Sequence, residues 1–317
     1  MVKNRQLRSF RDKSGSFLVL RLCDCSGEID AKLWENGENW YRKIKDTDVV
    51  KVSGKTQIFN GTLELQISRL RLANDEEYQL EDFLPSTEQD VDQMLATLRR
   101  VIGRVENRFL RLLLDRFFDE DGCRDFATAP AAKMVHHAYL GGLLEHTLEV
   151  VKLCEESLGL YPMLDRDLLL TGAILHDVGK VREYVYRRTI EFSDEGRLLG
   201  HIALGEQMLV QEARGIDGFP EDLLVQLRHM ILSHHGQYEW QSPKRPKTIE
   251  ACVLHLADYF SGQVAIFVAS IKANQELDSS WTSYNKFLDR SIFIPRMAAD
   301  DSTNGHRRIM EERFGEY

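Results

Sequence analysis

An adjacent histidine and aspartate stand at the end of a strongly apolar run. The residues from Leu168 to Leu175 are mostly apolar, and they lead directly into His176 and Asp177. Burying a carboxylate at the end of such a segment costs free energy unless a cation or a hydrogen-bond donor pairs with it. A fold that keeps this run in its core must therefore bring that partner from elsewhere in the chain.

Three other segments with helical periodicity carry a histidine or an aspartate on an apolar face. His146 lies on the same face as Val150. His234 continues an apolar stripe at the end of its segment, and Asp258 lies one helical turn after Leu254. Together with the His-Asp pair, four predicted helices direct such a group towards a core.

A bound cation is the simplest common explanation for these groups. One buried histidine is usually a satisfied core residue, but a lone carboxylate such as Asp258 is expensive to bury. Helical bundles build metal sites from side chains on facing helices, and a metal would offset all of these costs at once. Imidazole and carboxylate ligands without thiolates suit Mn, Fe, Ni, Co, Zn or Mg ions. We therefore predict a divalent metal site.

The net charge of −9 conceals two regions of opposite sign. Residues 1–73 hold 14 Lys and Arg against 9 Asp and Glu, a balance of +5, so the remaining residues carry −14. A basic region suits contact with a polyanion, whereas an acidic region suits the binding of cations.

The basic region has the pattern of a small β-barrel. Alternating runs over Ser16–Asp24 and Gly27–Glu35 are followed by two more that flank Asn60 and Gly61, the strongest short signal for a hairpin. Four or five short strands in about 70 residues favour an OB-fold, with an SH3-like barrel as the alternative.

The predicted fold class is multidomain α+β, with a small N-terminal OB-fold barrel followed by an all-α helical bundle. The predicted boundaries are 1–74 for the barrel, 75–128 for an acidic linker and connecting helices, 129–290 for the metal-binding bundle, and 291–317 for a polar tail. The start of the chain lacks the apolar segment of a signal peptide, and no run of about 18 apolar residues occurs. Five scattered cysteines suit reduced thiols. We therefore expect a cytoplasmic protein without a membrane segment.

The histidine and aspartate motifs resemble those of the HD-domain metal phosphohydrolases. The stretches HHAYLGGLLEHT, LLTGAILHDVGK, EGRLLGHIALG and LSHHG, followed by a helix with LHLAD, look more specifically like the YhaM-type bacterial 3′-5′ exoribonucleases. That family also carries an N-terminal OB-fold, and the resemblance covers essentially the whole chain.

The resemblance implies a site for two metal ions, most readily Mn²⁺. One ion would be held by His146, His176, Asp177 and Asp258, and Asp177 would bridge to a second ion held by His201, His234 and His235. Lys180 would contact a substrate phosphate, although a solvated cation at a helix end is the alternative. His136 and His137 would touch substrate or support the ligands, and His255 would orient Asp258.

The predicted barrel offers groups that could hold a single strand of nucleic acid. Cations would contact phosphates and aromatic rings would stack on bases, without reading sequence. The candidates are Arg8, Arg11, Lys13, Phe17, Arg21, Lys32, Trp34 and Phe59. The alternative is that the aromatic residues belong to the barrel core.

The combined expectation is a metal-dependent 3′-5′ exoribonuclease of single-stranded RNA, with single-stranded DNA as a further substrate and a homo-oligomer as a further expectation. The direction and the preference for RNA rest on the resemblance. Two rivals are an HD phosphohydrolase of a nucleotide or cyclic dinucleotide with a regulatory barrel, and a non-catalytic nucleic-acid-binding protein. The basic barrel argues against the first rival, and the complete ligand set argues against the second.

Overall fold

The computed structural model describes residues 1–10, 14–25, 27–59, 62–79, 82–133, 137–186, 189–275 and 279–294. The predicted Asn60–Gly61 turn and most of the predicted tail lie outside these ranges. The chain divides into two compact units, residues 1–261 and residues 262–317.

The N-terminal residues form a five-stranded sheet with the order β1-β2-β3-β5-β4. The strands are β1 (Val2–Ser9), β2 (Ser16–Asp24), β3 (Gly27–Leu33), β4 (Val50–Phe59) and β5 (Thr62–Leu72). All neighbouring pairs are antiparallel except β3 and β5, which are parallel. The sheet is not fully closed, because β1 and β4, its two edge strands, are not paired with each other in the described ranges. Val2 of β1 nevertheless exchanges backbone hydrogen bonds with Thr47 and Asp48, just ahead of β4. The predicted OB-fold is confirmed, and the bounds of β2 are those read from the alternation.

Apolar side chains from one face of the sheet fill the barrel. Val2, Leu18, Leu20 and Ala31 are fully buried. A short helix, α1 (Gly37–Lys43), packs Trp40 and Tyr41 against this core. That helix was not predicted from the sequence.

The rest of the first unit is helical, as predicted. The helices are α2 (Val91–Gly103), α3 (Arg108–Phe117), α4 (Glu120–Thr128), α5 (Gly142–Leu160), α6 (Arg166–Leu175), α7 (Lys180–Glu183), α8 (Asp194–Arg214), α9 (Glu221–Ser233) and α10 (Ile249–Ala273). A two-stranded ribbon, β6 (Tyr184–Tyr186) and β7 (Ile190–Phe192), separates α7 from α8. Side chains of α2, α3 and α4 share one apolar core with α5, α6 and α9.

Helix α6 contains the apolar run that leads into His176 and Asp177. Asp165 caps it by accepting a hydrogen bond from the backbone of Leu168 at 3.0 Å. Every residue from Leu168 to Leu175 is buried, and the helix ends at His176. The rigid core around α6 therefore fixes where His176 and Asp177 point.

Among the described residues, α10 is the one helix long and apolar enough to cross a membrane by length and composition. A core helix meets the same criterion. Asp258, near the middle of α10, faces the charged site described below.

The second unit begins within α10. Beyond the helix, isolated bridges join Trp281 to Phe293 and Asn285 to Arg290. The side-chain amide of Asn285 donates to Ser270 Oγ at 2.5 Å, which ties this segment to the end of α10.

Candidate metal centre

Five helices bring the predicted ligands together. His146 lies in the second turn of α5, Asp258 lies in α10, and His176 and Asp177 follow α6. His234 and His235 follow α9, and His201 lies within α8. The other six predicted ligands therefore gather around Asp177, which is 2 % exposed.

The Oδ2 side of Asp177 faces the first cluster. His176 Nε2 lies 3.3 Å from Asp177 Oδ2, and His146 Nε2 lies 3.6 Å from the same oxygen. His146 Nε2 is also 3.3 Å from His176 Nε2 and 3.2 Å from Asp258 Oδ1. Atoms that share a metal with bonds of about 2.1 Å lie roughly 3.0–3.4 Å apart. Three of these four distances match that spacing, and the distance from His146 Nε2 to Asp177 Oδ2 is slightly longer.

The Oδ1 side of Asp177 faces the second cluster. His201 Nε2 lies 3.4 Å and His234 Nε2 lies 3.5 Å from Asp177 Oδ1. A ring nitrogen of His235 lies within 4.8 Å of ligand nitrogens of both histidines. The two oxygens of one carboxylate thus address two groups of ring nitrogens, which is the arrangement expected of a bridging ligand.

Three atoms at the second cluster are buried without a hydrogen-bond partner. Among the described residues, Asp177 Oδ1, His201 Nε2 and His234 Nε2 are all in this state. Unsatisfied buried acceptors are costly, and here three of them converge on one point. A divalent cation satisfies all three at once, so the residues fit the metal that the motif implies.

The outer nitrogen of each ring fixes the tautomer that a metal needs. His176 Nδ1 donates to the carbonyl of Ala173 at 2.8 Å, and His234 Nδ1 donates to that of Ile231 at 2.7 Å. His235 Nδ1 donates to the carbonyl of Trp240 at 2.9 Å. A carbonyl can only accept, so the proton of each neutral imidazole sits on Nδ1 and the lone pair on Nε2.

A serine and a glutamate fix His146 in the same way. Ser261 Oγ donates to Glu149 Oε2 at 2.6 Å. The hydroxyl has only one proton, so it must accept from His146 Nδ1, which lies 3.1 Å away. Neither Ser261 nor Glu149 was predicted as a site residue. Supporting groups of this kind orient metal ligands and raise their basicity.

Glu183 supports His201 and was also missed. Gly200 adopts φ +73° and interrupts α8, so a new helical stretch begins at His201. Glu183 Oε1 accepts from the backbone N–H of His201 at 2.9 Å and from its Nδ1 at 3.1 Å. Glu183 is only 5 % exposed. The sequence shows only a glutamate six residues after Asp177, and its burial against His201, which defines this role, is seen in the structure.

Burial keeps most of these rings neutral. It lowers the pKa of His146 and of His234. Burial, followed by the charges of His234 and His201, lowers the pKa of His235 to about 3. His176 behaves differently, because burial opposes its charge but the Asp177 carboxylate outweighs that effect and raises its pKa. Neutral rings offer the lone pairs that metal binding requires.

Lys180 lies inside the site. It is 8 % exposed, and its Nζ donates to Asp177 Oδ2 at 2.6 Å. The structure therefore does not place it as a solvated cation at a helix end. Burial raises the pKa of Asp177, but the charges of Lys180 and His176 lower it well below the ordinary value.

The remaining predicted histidines lie around this centre. His137 adopts φ +52°, and its Nε2 lies 3.5 Å from Glu149 Oε1, beside His146. His255 was expected to orient Asp258, but its Nδ1 donates to the carbonyl of His234 at 2.8 Å. It therefore supports the chain after α9 instead. His136 lies outside the described residues.

The barrel residues are only partly available to a ligand. Phe17 and Trp34 stack at 4.6 Å between ring centroids, Phe10 joins them, and Trp34 is 41 % exposed. Phe59 is 51 % exposed, and Arg8 is exposed on β1. These aromatic rings do not fill the barrel core, and Phe10 was missed.

Two of the predicted barrel cations are already paired with carboxylates. Lys32 Nζ lies 2.7 Å from Glu64, and Arg21 contacts both Glu28 and Asp30. The predicted phosphate contacts by Lys32 and Arg21 therefore compete with these ion pairs. Arg11 and Lys13 lie outside the described residues.

Comparisons with known families match both halves of this architecture. The model of the OB-fold nucleic acid binding domain matches residues 1–73, and the model of the HD domain matches residues 143–263. Fold and site thus define a protein of the HD superfamily with an attached OB-fold domain. No solved structure gives a significant match.

Curated relatives identify a family within the HD superfamily to which the chain is similar. The 3′-5′ exoribonuclease YhaM of Bacillus subtilis strain 168 is 36 % identical over 243 residues, covering 76 % of this chain and 77 % of the relative. That of Bacillus pumilus is 36 % identical over 247 residues, with coverage of 76 % and 77 %. That of a Geobacillus species is 33 % identical over 287 residues, with coverage of 87 % and 86 %. The chain belongs to the YhaM family of 3′-5′ exoribonucleases.

Proposed function

We propose that this protein is a metal-dependent 3′-5′ exoribonuclease that shortens single-stranded RNA from its 3′ end, and that accepts single-stranded DNA. The observation that carries the proposal is Asp177, whose two oxygens face two separate sets of histidine Nε2 atoms. Family membership supports the substrate class and the direction. An HD domain of this family implies dependence on divalent metal, and we propose two ions, with Mn²⁺ as the first choice.

The residues of the site fall into two sets of metal ligands and a lysine that could contact the substrate. His146, His176 and Asp258 would hold one ion, and His201, His234 and His235 the other, with Asp177 between them. When bound, the ions would supply an activated water and neutralise the scissile phosphate. Lys180 stands against Asp177 Oδ2, where a modest movement of its ammonium would reach a phosphate oxygen.

The N-terminal domain would grip the strand away from the site. The aromatic group of Phe10, Phe17 and Trp34, in which Trp34 is exposed and the two phenylalanines are half-buried, supports this role, since successive bases stack on such rings irrespective of sequence. The paired state of Lys32 and Arg21 makes stacking a larger part of the grip than phosphate contact. Location in the cytoplasm and homo-oligomerisation stay predictions.

The test is hydrolysis of a 5′-labelled single-stranded RNA in Mn²⁺, beside the same DNA sequence and a panel of nucleotides and cyclic dinucleotides. We expect a ladder that shortens from the 3′ end. Asp177→Asn should abolish it while leaving RNA binding intact, and Asp121→Asn, which changes an exposed carboxylate of α4, should leave it unchanged. Hydrolysis of the small molecules alone would establish the nucleotide phosphohydrolase instead, and metal-loaded protein that binds RNA without cleaving it would establish a binding protein.

A further inference from the structure

A pair of stacked aromatic rings lies beside the metal centre and has no part in the site described above. The rings of Trp240 and Tyr259 are nearly parallel, with an angle of 8° and centroids 5.0 Å apart. Trp240 is 45 % and Tyr259 is 44 % exposed. Two large rings held parallel and half in water offer their flat surfaces to a ligand.

The chain places this pair next to the ligands on both sides. Tyr259 directly follows Asp258 in α10. The carbonyl of Trp240 accepts the proton of His235 Nδ1 at 2.9 Å, so the indole belongs to a residue that already supports the second cluster. The ring of His255 lies 6.1 Å from that of Trp240 and 6.4 Å from that of Tyr259, which closes a continuous group of rings.

The loop that carries Trp240 is fixed before any ligand arrives. Gly236 adopts φ +76°, and a Cβ there would lie 2.1 Å from His255 Cε1, so the backbone packs directly on that ring. Ser242 is 3 % exposed, and its hydroxyl donates to the carbonyl of Lys244 at 2.7 Å. The backbone N–H of Lys247 donates to His229 Nε2 at 2.9 Å. A surface ordered in advance loses little entropy on binding.

The same loop carries three cations in an otherwise acidic region. Lys244, Arg245 and Lys247 are exposed. Within the described part of the chain, no carboxylate lies within 4.0 Å of their charged groups, in contrast to Lys32 of the barrel. Glu239 is the one acidic residue between Gly236 and Thr248. This loop was not predicted as a binding surface.

Aromatic rings interleaved with unpaired cations are the chemistry that holds single-stranded nucleic acid without reading its sequence. We propose that Trp240 and Tyr259 form a stacking platform for the bases at the 3′ end of the strand, and that Lys244, Arg245 and Lys247 contact the adjoining phosphates. This inference rests on the proposed function for its substrate. It assigns to the helical domain a strand-binding surface of its own, separate from the barrel.

The test compares Trp240→Ala with wild type on two RNAs, one complete and one with abasic 3′-terminal nucleotides. We expect Trp240→Ala to raise KM for the complete RNA by roughly 5- to 150-fold, the range given by the free energy of one stacked base. Trp240→Phe should restore most of the affinity for RNA.

The abasic RNA separates stacking from a general disturbance of the site. Wild type should bind the abasic RNA more weakly than the complete RNA. On the abasic RNA, Trp240→Ala and wild type should have the same KM, because the base that would stack on the indole is already missing. Tyr161→Ala, which removes a 48 % exposed ring beyond the far end of α5, is the matched control and should leave every value unchanged. The platform would be overturned if Trp240→Ala left the KM for the complete RNA unchanged. It would also be overturned if Trp240→Ala raised KM by the same factor on the abasic RNA as on the complete RNA.

Replacing all three cations by glutamine supplies an independent readout. The slope of log KM against log salt should fall in magnitude by about 2, as expected for three lost phosphate contacts on a single strand. If wild type cleaves no RNA, the proposed function fails, and the platform is then judged by equilibrium binding of the same RNAs. If wild type and Trp240→Ala bind these RNAs equally well, the platform is overturned, whatever the fate of the proposed function.

Discussion

Lys180 and Asp177 form a buried ion pair one helical turn apart, with Nζ 2.6 Å from Oδ2 and both side chains no more than 10 % exposed. The oxygen that accepts from Lys180 is the one that faces His146 and His176. The lysine therefore neutralises, in the metal-free protein, the same carboxylate that a metal would neutralise.

Lys180→Met should destabilise the metal-free protein more than the metal-loaded protein. Without metal, the change leaves a buried carboxylate unpaired, which costs about 3 kcal/mol. With metal, the ion neutralises the Asp177 carboxylate, and we expect the loss in free energy of unfolding to be less than half of that value. Urea denaturation with EDTA and with Mn²⁺ measures both values. Equal losses in the two conditions would show that Lys180 does not substitute for a metal.

Mn²⁺ should stabilise wild type and have little effect on Asp177→Asn. Binding to the folded state alone contributes about 2.7 kcal/mol when the ion is present at 100 times its Kd. The variant lacks the carboxylate that joins both clusters, so its melting temperature should stay within a degree when Mn²⁺ replaces EDTA. A rise in the variant as large as that in wild type would contradict the bridging role of Asp177.

Ser261→Ala should weaken metal binding without removing a ligand. The change deletes the acceptor of His146 Nδ1 and breaks the link to Glu149, so the ring is no longer held in one tautomer. Loss of such support costs about 10- to 100-fold in metal affinity or activity. Titration calorimetry with Mn²⁺ measures it, and Ser261→Thr, which keeps the hydroxyl, should retain most of the affinity. If Ser261→Ala binds Mn²⁺ as tightly as wild type, the hydrogen bonds from His146 through Ser261 to Glu149 have no role in metal binding.

Gly179→Ala and Gly159→Ala should change stability in opposite directions. A Cβ at Gly179 would lie 2.0 Å from the carbonyl oxygen of His201 and 2.5 Å from the backbone nitrogen of Gly205, so α7 and α8 would have to separate. We expect a loss of about 1–3 kcal/mol, together with lower activity. Gly159 lies within α5 with nothing within 4 Å of its added Cβ, and its replacement should stabilise by up to about 1 kcal/mol. Thermal melts of both variants compare them directly.

Helical periodicity was sufficient to place His146, His234 and Asp258 on inward faces, because α5, α9 and α10 repeat their apolar positions with the period of the helix. The supporting groups could not be found in this way. Ser261 and Glu149 lie 112 residues apart, and their contact depends on how α5 and α10 pack against each other. No local pattern records that packing.

In the barrel too, the sequence pattern did not show which side chains meet in the folded protein. Alternation predicted β2 and β5, but it did not show that Lys32 would lie beside Glu64 across the parallel pair of β3 and β5. The cations therefore looked available for phosphate in the sequence. Trp240 and Tyr259 were missed for a related reason, since they are 19 residues apart and meet only through the turn after α9.

The anchors of the ring nitrogens also decide how the site tolerates mutation. His176, His234 and His235 donate to main-chain carbonyls, which are present whatever residue occupies those positions. Only His146 and His201 depend on side chains that a single codon change can delete. Among homologues that drift apart, variation that silences this centre without touching a ligand should therefore concentrate at Ser261, Glu149 and Glu183.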